Sequence, residues 1–459
     1  MIERNLGQIA EMLGGSLCDP NYKDVKISGV STDSRTIQEN NLYIPLVGEV
    51  FDGRLFVKEC EDKGASAFLI DRDYEIKNNI SIPYIRVDDT LKALQDLARS
   101  YRKELNVKVI GITGSNGKTT TKDLLYEVLS TKYKTQKTIG NLNNEIGVPK
   151  TILSLNEDTE IAVVELGTDK FGDISLTSNI ALPDIAIITN IGDSHLHNLK
   201  SKEGILKAKM EIVEGLSDDG IFIYNGDDET MKKEIDSYKV DQKIISFGLE
   251  DDNDFVVKEI PSTPAKVSFS HDDETYDIPL LGRHNIYNGA CCLLIANILG
   301  LDANEVKSGL IKVRPANNRS SMIEFDGFDV LDDSYKSNPQ SLKSGLATCK
   351  LLDGYNNKIV VLGDMLELGD KEDELHYEVG LDIDPKDIHY CLFFGNLSYH
   401  MYKGALNNFP KDRTFHFTDK DDLIDKLKSL ITKSTLVFVK GSHGMHMEEI
   451  IESIRSLKL

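Results

Sequence analysis

The stretch GITGSNGKTTTKDLL, residues 111–125, carries the strongest structural signal in this sequence. The apolar run VKVIGIT, residues 107–113, leads into it and predicts a buried strand, and a helical segment follows the glycines. A strand, a glycine loop and a helix in this order form the setting in which backbone N–H groups surround phosphates. The stretch therefore predicts a phosphate-binding loop within an α/β domain.

The loop residues have distinct predicted roles. The nucleotide-binding residues of the loop and the first helical turn are Gly114, Ser115, Asn116, Gly117, Lys118, Thr119 and Thr120. The ammonium of Lys118 would reach the β- and γ-phosphates, and the hydroxyl of Thr119 would bind Mg²⁺. The match to G-x-x-x-x-G-K-[ST] is incomplete, because the first glycine is Gly111 and position 112 is Ile. A glycine turn with a surface lysine is the alternative.

Apolar strands and helical stretches alternate along most of the chain. EIAVVELG (160–167), PDIAIITNIGD (183–193) and GIFIYNGD (220–227) continue the pattern after the loop. Such alternation predicts a mostly parallel sheet with helices on both faces. Residues 249–280 have the pattern of a short antiparallel insertion, and RPANNR (314–319) has the composition of a linker.

The flanking regions predict two further α/β units, which gives three domains in all. Residues 1–105 combine short strands with a closing helix, residues 106–313 contain the phosphate loop, and residues 314–459 form a third unit. The strands of the third unit are FDVLDDSY, KIVVLGDM, HYCLFFGN and TLVFVKGS. This unit has no G-x-G-x-x-G, so it is not predicted to bind a dinucleotide.

Composition excludes several classes of function. Among 459 residues, 53 Lys and Arg stand against 75 Asp and Glu, a net charge of −22. This balance argues against binding nucleic acid or an anionic membrane surface. No apolar run has the length of a membrane span, and MIERNLGQIAEML lacks the apolar core of a signal peptide. The six Cys form no C-x-x-C pair, so we expect reduced core cysteines, without disulfides or structural zinc, in a cytoplasmic protein.

Further candidate residues follow the predicted strands of the central unit. Glu165 ends the run IAVVE and would suit Mg²⁺, although a loop glutamate is an equal alternative. His195 and His197 follow the next strand, at the sheet edge where α/β proteins bind ligands. Lys209 and Glu211 lie in a helical segment, and by residue type alone they are solvated helix charges.

A set of motifs carries a family resemblance. These motifs are GSNGKTTTKD, GNLNNEIGVP, VVELG, TNIGDSHL, KEGILKAKMEI, HNIYN, DDSYKSNP and LGDMLELG. Together with STDSRTIQENNLYIPLVGEVFDG near the start, they resemble the Mur ligases of peptidoglycan synthesis. The similarity runs in order from about Leu6 to near the C-terminus.

The resemblance implies an architecture and an activity. The family has a UDP-sugar-binding domain (here 1–105), an ATP-binding central domain (106–313) and a C-terminal Rossmann-like domain for the incoming amine (314–459). The implied reaction is ATP- and Mg²⁺-dependent amide formation through an acyl phosphate. The substrates would be UDP-N-acetylmuramoyl-tripeptide and D-alanyl-D-alanine, and the ligase would act as a cytoplasmic monomer that neither binds nucleic acid nor inserts into membranes.

The resemblance also assigns residues. The catalytic set is Lys118, Glu165, His195 and Lys209. Thr119 and Glu165 would bind one Mg²⁺, and His195, with Lys209 if it is carbamylated, would bind a second. The residues that would contact the nucleotide are Asn288, Arg319 and Asp333. The residues that would contact the other substrates are Ser31, Asp33, Ser34, Arg35, Asn143, Asn144, Tyr335 and Asn338.

Each of the weaker assignments has a plain alternative. Residues 31–35 could form an ordinary turn. Asn288 could cap the start of a helix, as Asn often does. Asp333 could be a loop carboxylate that ends a strand, and Arg319 could be a surface charge of the linker.

Two motifs depart from the family pattern. DD-x-Y-N-A-N-P is replaced by DDSYKSNP, with Lys336 in place of Asn and Ser337 in place of Ala. K-G-S-R-G-M is replaced by KGSHGM, with His443 in place of Arg. Arg holds a carboxylate with a bidentate fork that His lacks, so the identity of the dipeptide stays open. Lys336 could restore a cation near the lost Arg, or both positions could have drifted without consequence.

Other functions remain as alternatives. One is a related ligase that adds a different amino acid or dipeptide, or a folylpolyglutamate synthase, although the STDSR unit argues against the latter. Another is a non-catalytic nucleotide-binding partner of wall enzymes. Retention of the catalytic set argues against a partner of that kind.

Overall fold

The computed structural model describes residues 1–76, 80–263, 266–315 and 318–459. Residues 316 and 317 of the predicted linker, and residue 265 at the start of the predicted strand AKVSFS, lie outside the described residues. Within the described ranges, no helix combines the length and the apolar character needed to cross a membrane.

The first part of the chain forms a five-stranded sheet beside a two-stranded ribbon. The strands are β1 (Glu3–Asn5), β2 (Ser16–Leu17), β3 (Lys26–Ser28), β4 (Val30–Ser31), β5 (Leu42–Tyr43), β6 (Ala67–Asp71) and β7 (Tyr84–Val87). The ribbon pairs β1 with β3, and the sheet has the order β2-β7-β6-β5-β4, with only its β2–β7 pair antiparallel. The helices are α1 (Leu6–Leu13), α2 (Val57–Asp62) and α3 (Thr90–Glu104).

Helix α3 joins this sheet to the next part of the molecule. Its apolar residues recur at helical spacing, and the Asp89 side chain caps its start by accepting a hydrogen bond from the Lys92 N–H. The Tyr101 hydroxyl donates to the Leu155 carbonyl at 2.9 Å, and the Arg102 guanidinium donates to the Ala181 carbonyl at 2.9 Å. The predicted closing helix of the first unit is therefore confirmed, and it also packs against the central unit.

The central sheet has seven strands, all parallel, in the order β14-β13-β12-β11-β8-β10-β9. The strands are β8 (Lys108–Thr113), β9 (Thr135–Lys137), β10 (Ile161–Glu165), β11 (Ile185–Ile188), β12 (Ile221–Asn225), β13 (Lys243–Gly248) and β14 (Phe255–Val256). Strands β8, β10 and β11 are buried almost throughout, as continuous apolar runs require in a sheet covered on both faces. Strand order reverses at β8, and ligands bind in the crevice that such a reversal opens.

Helices cover both faces of this sheet. They are α4 (Lys118–Leu129), α5 (Gly147–Leu153), α6 (Asp173–Ala181), α7 (Leu196–Leu199), α8 (Lys202–Met210), α9 (Glu229–Glu234), α10 (Asn285–Ile298) and α11 (Ala303–Leu310). The predicted antiparallel insertion forms β15 (Lys258–Thr263), β16 (Lys266–His271) and β17 (Glu274–Ile278). The prediction was wrong for Phe255 and Val256, because β14 extends the parallel sheet through its pairing with β13.

The last part of the chain forms a six-stranded sheet in the order β18-β19-β23-β20-β21-β22. The strands are β18 (Ser321–Glu324), β19 (Phe328–Asp333), β20 (Asn357–Gly363), β21 (Tyr390–Phe394), β22 (Thr414–Phe417) and β23 (Thr435–Lys440). All pairs except β18–β19 are parallel, which confirms the Rossmann-like layout. The helices are α12 (Pro339–Leu351), α13 (Glu372–Leu381), α14 (Ser398–Ala405), α15 (Lys420–Leu430) and α16 (Glu448–Ile454).

Most of the cysteines lie in the apolar cores, as expected. Cys60, Cys291, Cys292, Cys349 and Cys391 are buried. Cys18 is exposed, so the expectation of a core position was wrong for this residue. It follows the short strand β2, which lies at the edge of the five-stranded sheet.

Candidate active site

The loop after β8 has the backbone geometry of a phosphate cradle. Gly114 has φ +151° and Gly117 has φ +82°, a region that favours glycine. A Cβ on Gly114 would lie 1.9 Å from the Thr189 hydroxyl oxygen, and one on Gly117 would lie 2.7 Å from Oδ1 of Asn288. Gly117, the residue before α4, has no side chain to cap the helix, and the N–H groups of the first turn lie at the cavity described below.

Lys118 folds back over this loop. Its Nζ donates to the Gly114 carbonyl at 2.6 Å. Burial lowers the pKa of Lys118 to about 7, and the positive charges of Lys336 and Arg319 act in the same direction. Since a nearby anion favours the charged amine, a phosphate placed in the loop would draw Lys118 away from the carbonyl.

Glu165 lies at the end of β10 within a network of donors. Its Oε2 accepts from the Thr119 hydroxyl at 3.0 Å, and its Oε1 accepts from Nδ2 of Asn143 at 2.9 Å. The Nζ of Lys122 lies 3.5 Å from the same Oε2. Glu165 is 2% exposed, so these partners satisfy both of its carboxylate oxygens within the sheet edge.

His195 has a strained backbone and a fully engaged ring. Its φ is +58°, which places the residue in the left-handed region. The ring Nδ1 lies 2.9 Å from Oε2 of Glu367 and 3.1 Å from Oδ1 of Asp169. The ring Nε2 lies 3.0 Å from Nζ of Lys336. Burial lowers the pKa of His195, and its hydrogen bond to the Glu367 carboxylate opposes that shift.

The neighbours of these residues have different surroundings. His197 is exposed, and its backbone N–H donates to the Glu367 carbonyl at 3.1 Å. Glu211 accepts from the backbone N–H groups of Gly172 and Ser175 at the start of α6. Neither residue lines the cavity described below.

Lys209 is buried, which corrects the interpretation of this residue as a solvated helix charge. It is 2% exposed, and among the described residues its side chain has neither a hydrogen-bond nor an ion-pair partner. Burial lowers the pKa of Lys209 well below its ordinary value, and Lys118 and Lys336 add to the shift. Burial of an amine without an ion-pair partner favours its uncharged form, which is the nucleophilic form of lysine.

Asn338 fixes the C-terminal sheet against the phosphate loop. Its Nδ2 donates to Oδ1 of Asn116 at 2.9 Å and to Oγ of Ser194 at 3.2 Å. Its Oδ1 caps α12 by accepting from the Ser341 N–H at 2.8 Å. Asn116 also donates to Oε1 of Gln340 at 3.1 Å. The side chain predicted to contact substrate is therefore occupied at the boundary between the two units, which are closed on one another.

Arg319, Asp333 and Tyr335 lie together on the C-terminal side. The guanidinium of Arg319 stacks 4.3 Å above the Tyr335 ring. Oδ2 of Asp333 accepts from the buried Lys440 ammonium at 2.5 Å. The rings of Tyr335 and His443 are 5.6 Å apart. Arg319 and Asp333 are therefore held in place by these contacts, and Asp333 ends strand β19, as its alternative predicted.

Asn288 lies directly beneath the phosphate loop. Its Oδ1 accepts from the Thr121 hydroxyl at 3.2 Å, and its Nδ2 donates to Oδ1 of Asn285 at 2.8 Å. Helix α10 begins at Asn285, so the alternative of a helix-start cap was wrong for Asn288. Asn144 does have a capping role, since its Oδ1 accepts from the Gly147 N–H at 2.9 Å.

The turn at residues 31–35 is satisfied by its own side chains. The Ser31 hydroxyl donates to the Asp33 carbonyl at 2.9 Å. Asp33 accepts from the N–H and guanidinium of Arg35, which lowers the pKa of Asp33 to about 2. The structure places this turn after β4 in the N-terminal sheet, where Ser34 begins a short 3₁₀ turn.

One cavity of about 680 Å³ lies between the central and C-terminal sheets. The predicted site residues that line it are Ser115, Asn116, Gly117, Lys118, Thr119, Thr120, Asn143, Asn144, Glu165, His195, Lys209, Asn288, Arg319, Asp333 and Tyr335. Those that do not line it are Ser31, Asp33, Ser34, Arg35, Gly114 and Asn338. Its volume suits a small-molecule ligand.

Comparison with known proteins identifies the family. The models "Mur ligase family, catalytic domain", "Mur ligase middle domain" and "Mur ligase, glutamate ligase domain" match residues 26–102, 112–296 and 318–443. The UDP-N-acetylmuramoyl-tripeptide–D-alanyl-D-alanine ligase of Bacillus subtilis (strain 168) is 41% identical over 458 residues, 99% of each chain. This chain belongs to the Mur ligase family.

Solved structures agree with this membership of the Mur ligases. A crystal structure of MurF from Acinetobacter baumannii superposes with a TM-score of 0.91 at 28% identity, and covers 100% of both chains. The MurF ligase of Thermotoga maritima in complex with ADP has a TM-score of 0.80 at 26% identity, over 93% of this chain and 97% of that one.

Two parts of the cavity in this Mur ligase differ in their suitability as a site for a divalent cation. The Thr119 hydroxyl and the Glu165 carboxylate present hard oxygen donors beside the phosphate loop, and they fit Mg²⁺. His195 does not fit, because an ammonium faces Nε2 and two carboxylates face Nδ1. Across the described ranges, no group of three or more His, Cys, Asp or Glu residues is arranged to hold a metal ion.

Sequence reasoning missed several residues of this Mur ligase site. Lys122 lies one helical turn after Lys118 in α4, and that spacing could have indicated a shared face. Lys440 follows the apolar run of β23, as Asp333 ends β19, and the two strands pair. Asp169 and Glu367 lie in loops, and no local pattern marks them as partners of His195.

Proposed function

We propose that this chain is an ATP-dependent ligase that joins D-alanyl-D-alanine to UDP-N-acetylmuramoyl-tripeptide, giving the pentapeptide precursor of peptidoglycan. One observation carries the proposal: the phosphate loop and the unpaired amine of Lys209 open into the same cavity, closed by the C-terminal sheet. The activity named for the Bacillus subtilis relative, and the ADP held by the Thermotoga maritima structure, support the choice of substrates.

We further propose a division of labour along the chain. Residues 1–105 would bind the UDP-sugar, with Ser31, Asp33, Ser34 and Arg35 in the nucleotide turn. Residues 106–313 would bind ATP, and residues 314–459 would bind the dipeptide. ATP and UDP-linked sugars are cytoplasmic metabolites, so we place the reaction in the cytoplasm and expect a monomer to suffice.

The chemistry needs an activated carboxylate. In the first step a tripeptide carboxylate oxygen attacks the γ-phosphorus, a new P–O bond forms, and the bond to the β–γ bridging oxygen breaks as ADP leaves. In the second, the dipeptide amine attacks the acyl carbon, a C–N bond forms, and the C–O bond to phosphate breaks while the nitrogen loses its proton. Both steps bring anions together, so fixed positive charge is required.

The residues around the loop supply that charge. Lys118 would pair with the β- and γ-phosphates, and the N–H groups of residues 114–120 would bind their oxygens. Thr119 and Glu165 would hold Mg²⁺, which neutralises phosphate charge when bound. Asn288, Arg319 and Asp333 would contact the nucleotide, and Asn143, Asn144 and Tyr335 would contact the other substrates.

Lys209 would act after carbamylation. Its nitrogen attacks carbon dioxide, an N–C bond forms, and a proton is released to give a carbamate. The reaction needs the neutral amine, and burial lowers the pKa of Lys209 accordingly. The carbamate then presents oxygen atoms to the reaction centre where the unmodified chain presents a cation.

Closure of the C-terminal sheet would protect the acyl phosphate from water. The contacts of Asn338 with Asn116 and Ser194 hold the two units together at the loop. Water exclusion matters because an acyl phosphate hydrolyses readily. We assign Asn338 to positioning the C-terminal unit.

The test is phosphate release by the purified protein with ATP, Mg²⁺ and UDP-muramoyl-tripeptide. The amine would be D-Ala-D-Ala, D-Ala-D-lactate as its ester analogue, single amino acids, or nothing. We expect turnover only with D-Ala-D-Ala. Turnover with another amine would keep the mechanism and change the specificity. A ligase for another amine is the second candidate function, because His443 stands in place of Arg beside Tyr335. ATP binding without turnover under any condition would favour a non-catalytic partner.

A further inference from the structure

Lys336 points into the reaction cavity from the C-terminal side. Its Nζ lies 3.0 Å from Nε2 of His195, across the boundary between the two sheets. Its backbone carbonyl accepts from the Lys440 ammonium at 2.8 Å, and Lys440 also donates to Asp333. Lys440 is 1% exposed, so it fixes the segment that carries Lys336. Lys336 is therefore a side chain fixed in position rather than a mobile surface lysine.

The contact leaves His195 without a free lone pair. Burial lowers the pKa of Lys336, and the carboxylates of Glu367 and Asp169 oppose that shift. With Lys336 as an ammonium, which only donates hydrogen bonds, Nε2 of His195 is the acceptor in their contact. The ring proton is then on Nδ1, where Glu367 and Asp169 lie 2.9 and 3.1 Å away. A divalent cation at Nε2 would have to displace the Lys336 ammonium and would be repelled by it.

Lys336 is one of several cationic side chains that line the cavity, with Lys118, Arg314, Arg319 and Lys440. Lys118 lies on the phosphate loop, and both Lys118 and Lys336 act electrostatically on Lys209. If Lys209 is carbamylated, its charge becomes negative and the need for a cation on that side increases. Lys336 already occupies this position, and its three N–H donors suit phosphoryl oxygens.

We propose that the Lys336 ammonium takes the place of a second divalent cation beside His195, so that the enzyme works with one Mg²⁺, at Thr119 and Glu165. This inference rests on the proposed ligase function. Lys336 is the residue that departs from the DD-x-Y-N-A-N-P pattern, and a neutral Asn at that position would leave Nε2 of His195 open. Lys in place of Asn at position 336 thus replaces a bound divalent cation with a side-chain charge.

Counting bound metal tests this directly. Mn²⁺ binding would be measured by electron paramagnetic resonance on the whole protein with a non-hydrolysable ATP analogue and UDP-muramoyl-tripeptide. We expect about one Mn²⁺ per wild-type chain and about two for Lys336→Asn, because the variant frees the imidazole. Lys343→Asn, a matched change at a half-exposed lysine of α12, should keep the wild-type count. Two tightly bound Mn²⁺ in the wild type would overturn the proposal, whether or not the variant folds.

Turnover separates this proposal from the ligase function itself. Lys336→Met should lower kcat about a hundredfold, because a charge aimed at the transferred group is lost, while Lys336→Arg should retain most of it. Lys336→Met with wild-type kcat would contradict the role of Lys336. Wild-type protein that releases phosphate yet binds two Mn²⁺ would refute this inference alone. Wild-type protein that releases no phosphate would refute the ligase function and this inference with it.

Discussion

The Thr119 hydroxyl donates a 3.0 Å hydrogen bond to Oε2 of Glu165, which lies 46 positions further along the chain. The two side chains come from neighbouring elements of one sheet edge, since β8 leads into the loop before Thr119 and β10 ends at Glu165. Asn143 and Lys122 complete the surroundings of the carboxylate.

Removing one oxygen donor of this pair should impair the response to Mg²⁺ more than the fold. Glu165→Gln preserves shape but loses the charge, so we expect kcat to fall about a hundredfold and the Mg²⁺ concentration for half-maximal turnover to rise. The measurement is phosphate release across a Mg²⁺ titration. Glu374→Gln, at an exposed position of α13, is the matched control and should behave as wild type. An unchanged Mg²⁺ profile for Glu165→Gln would contradict the assignment.

Lys209 should be required for turnover but not for nucleotide binding. Lys209→Ala removes the amine that would become a carbamate, so turnover should fall about a thousandfold while ATP affinity stays within about threefold. Short carboxylates such as acetate should restore part of the rate by supplying the missing oxygen atoms. Rate and affinity would be measured by phosphate release and calorimetry.

A control variant and a carbamate signal complete the test of Lys209. Lys207→Ala, an exposed lysine of the same helix α8, should leave turnover unchanged. Labelled bicarbonate should give a carbamate ¹³C signal in wild-type protein that is lost in Lys209→Ala. Absence of that signal from active wild-type protein would show that the unmodified amine is used.

Nucleotide binding should take up protons above neutral pH. The pKa of Lys118 is about 7 in the free protein, so the amine is mostly neutral at pH 8. A bound triphosphate raises this pKa, and the lysine must gain a proton on binding. Calorimetry in buffers of different ionisation enthalpy should therefore show proton uptake at pH 8 and little at pH 6.

The lowered pKa of Lys118 also determines how the free energy of unfolding changes with pH. Because the folded value lies below the ordinary value of about 10.4, the unfolded chain binds more protons between the two. The contribution of Lys118 to the free energy of unfolding should rise with pH across this window. Lys118→Met should reduce both the proton uptake and this slope, whereas Lys371→Met, at an exposed position, should change neither. Equal uptake in Lys118→Met would assign the proton to another group.

Loosening the closed arrangement should uncouple ATP use from ligation. Asn338→Ala removes the donors to Asn116 and Ser194 and the cap of α12, at a cost of about 2 kcal/mol in the free energy of unfolding. More acyl phosphate should then be lost to water, so phosphate release should exceed product formation. The two yields would be compared by chromatography. Asn396→Ala, an exposed change in the same unit, should leave their ratio at one; a ratio of one in Asn338→Ala would exclude the positioning role.

Local sequence pattern was sufficient for the elements that begin the site. The run 107–113 and the glycines after it predicted β8, the loop and α4, because strand burial and glycine backbone freedom are local properties. The same reasoning misjudged Lys209, since helix periodicity around one charged residue does not reveal what covers it. It also missed β14, whose pairing with β13 is set by a neighbour rather than by its own residues.

By itself, the sequence determined the α/β class, the parallel central sheet, the phosphate loop and, through ordered motifs, membership of a ligase family. Only the tertiary structure decided that Lys336 faces His195, that Lys440 holds Asp333, and that Asn338 joins the C-terminal unit to the loop. The physical reason is that each of these contacts joins residues more than 100 positions apart, from different strands or different sheets. Their geometry depends on how whole sheets pack, and no local periodicity encodes that packing.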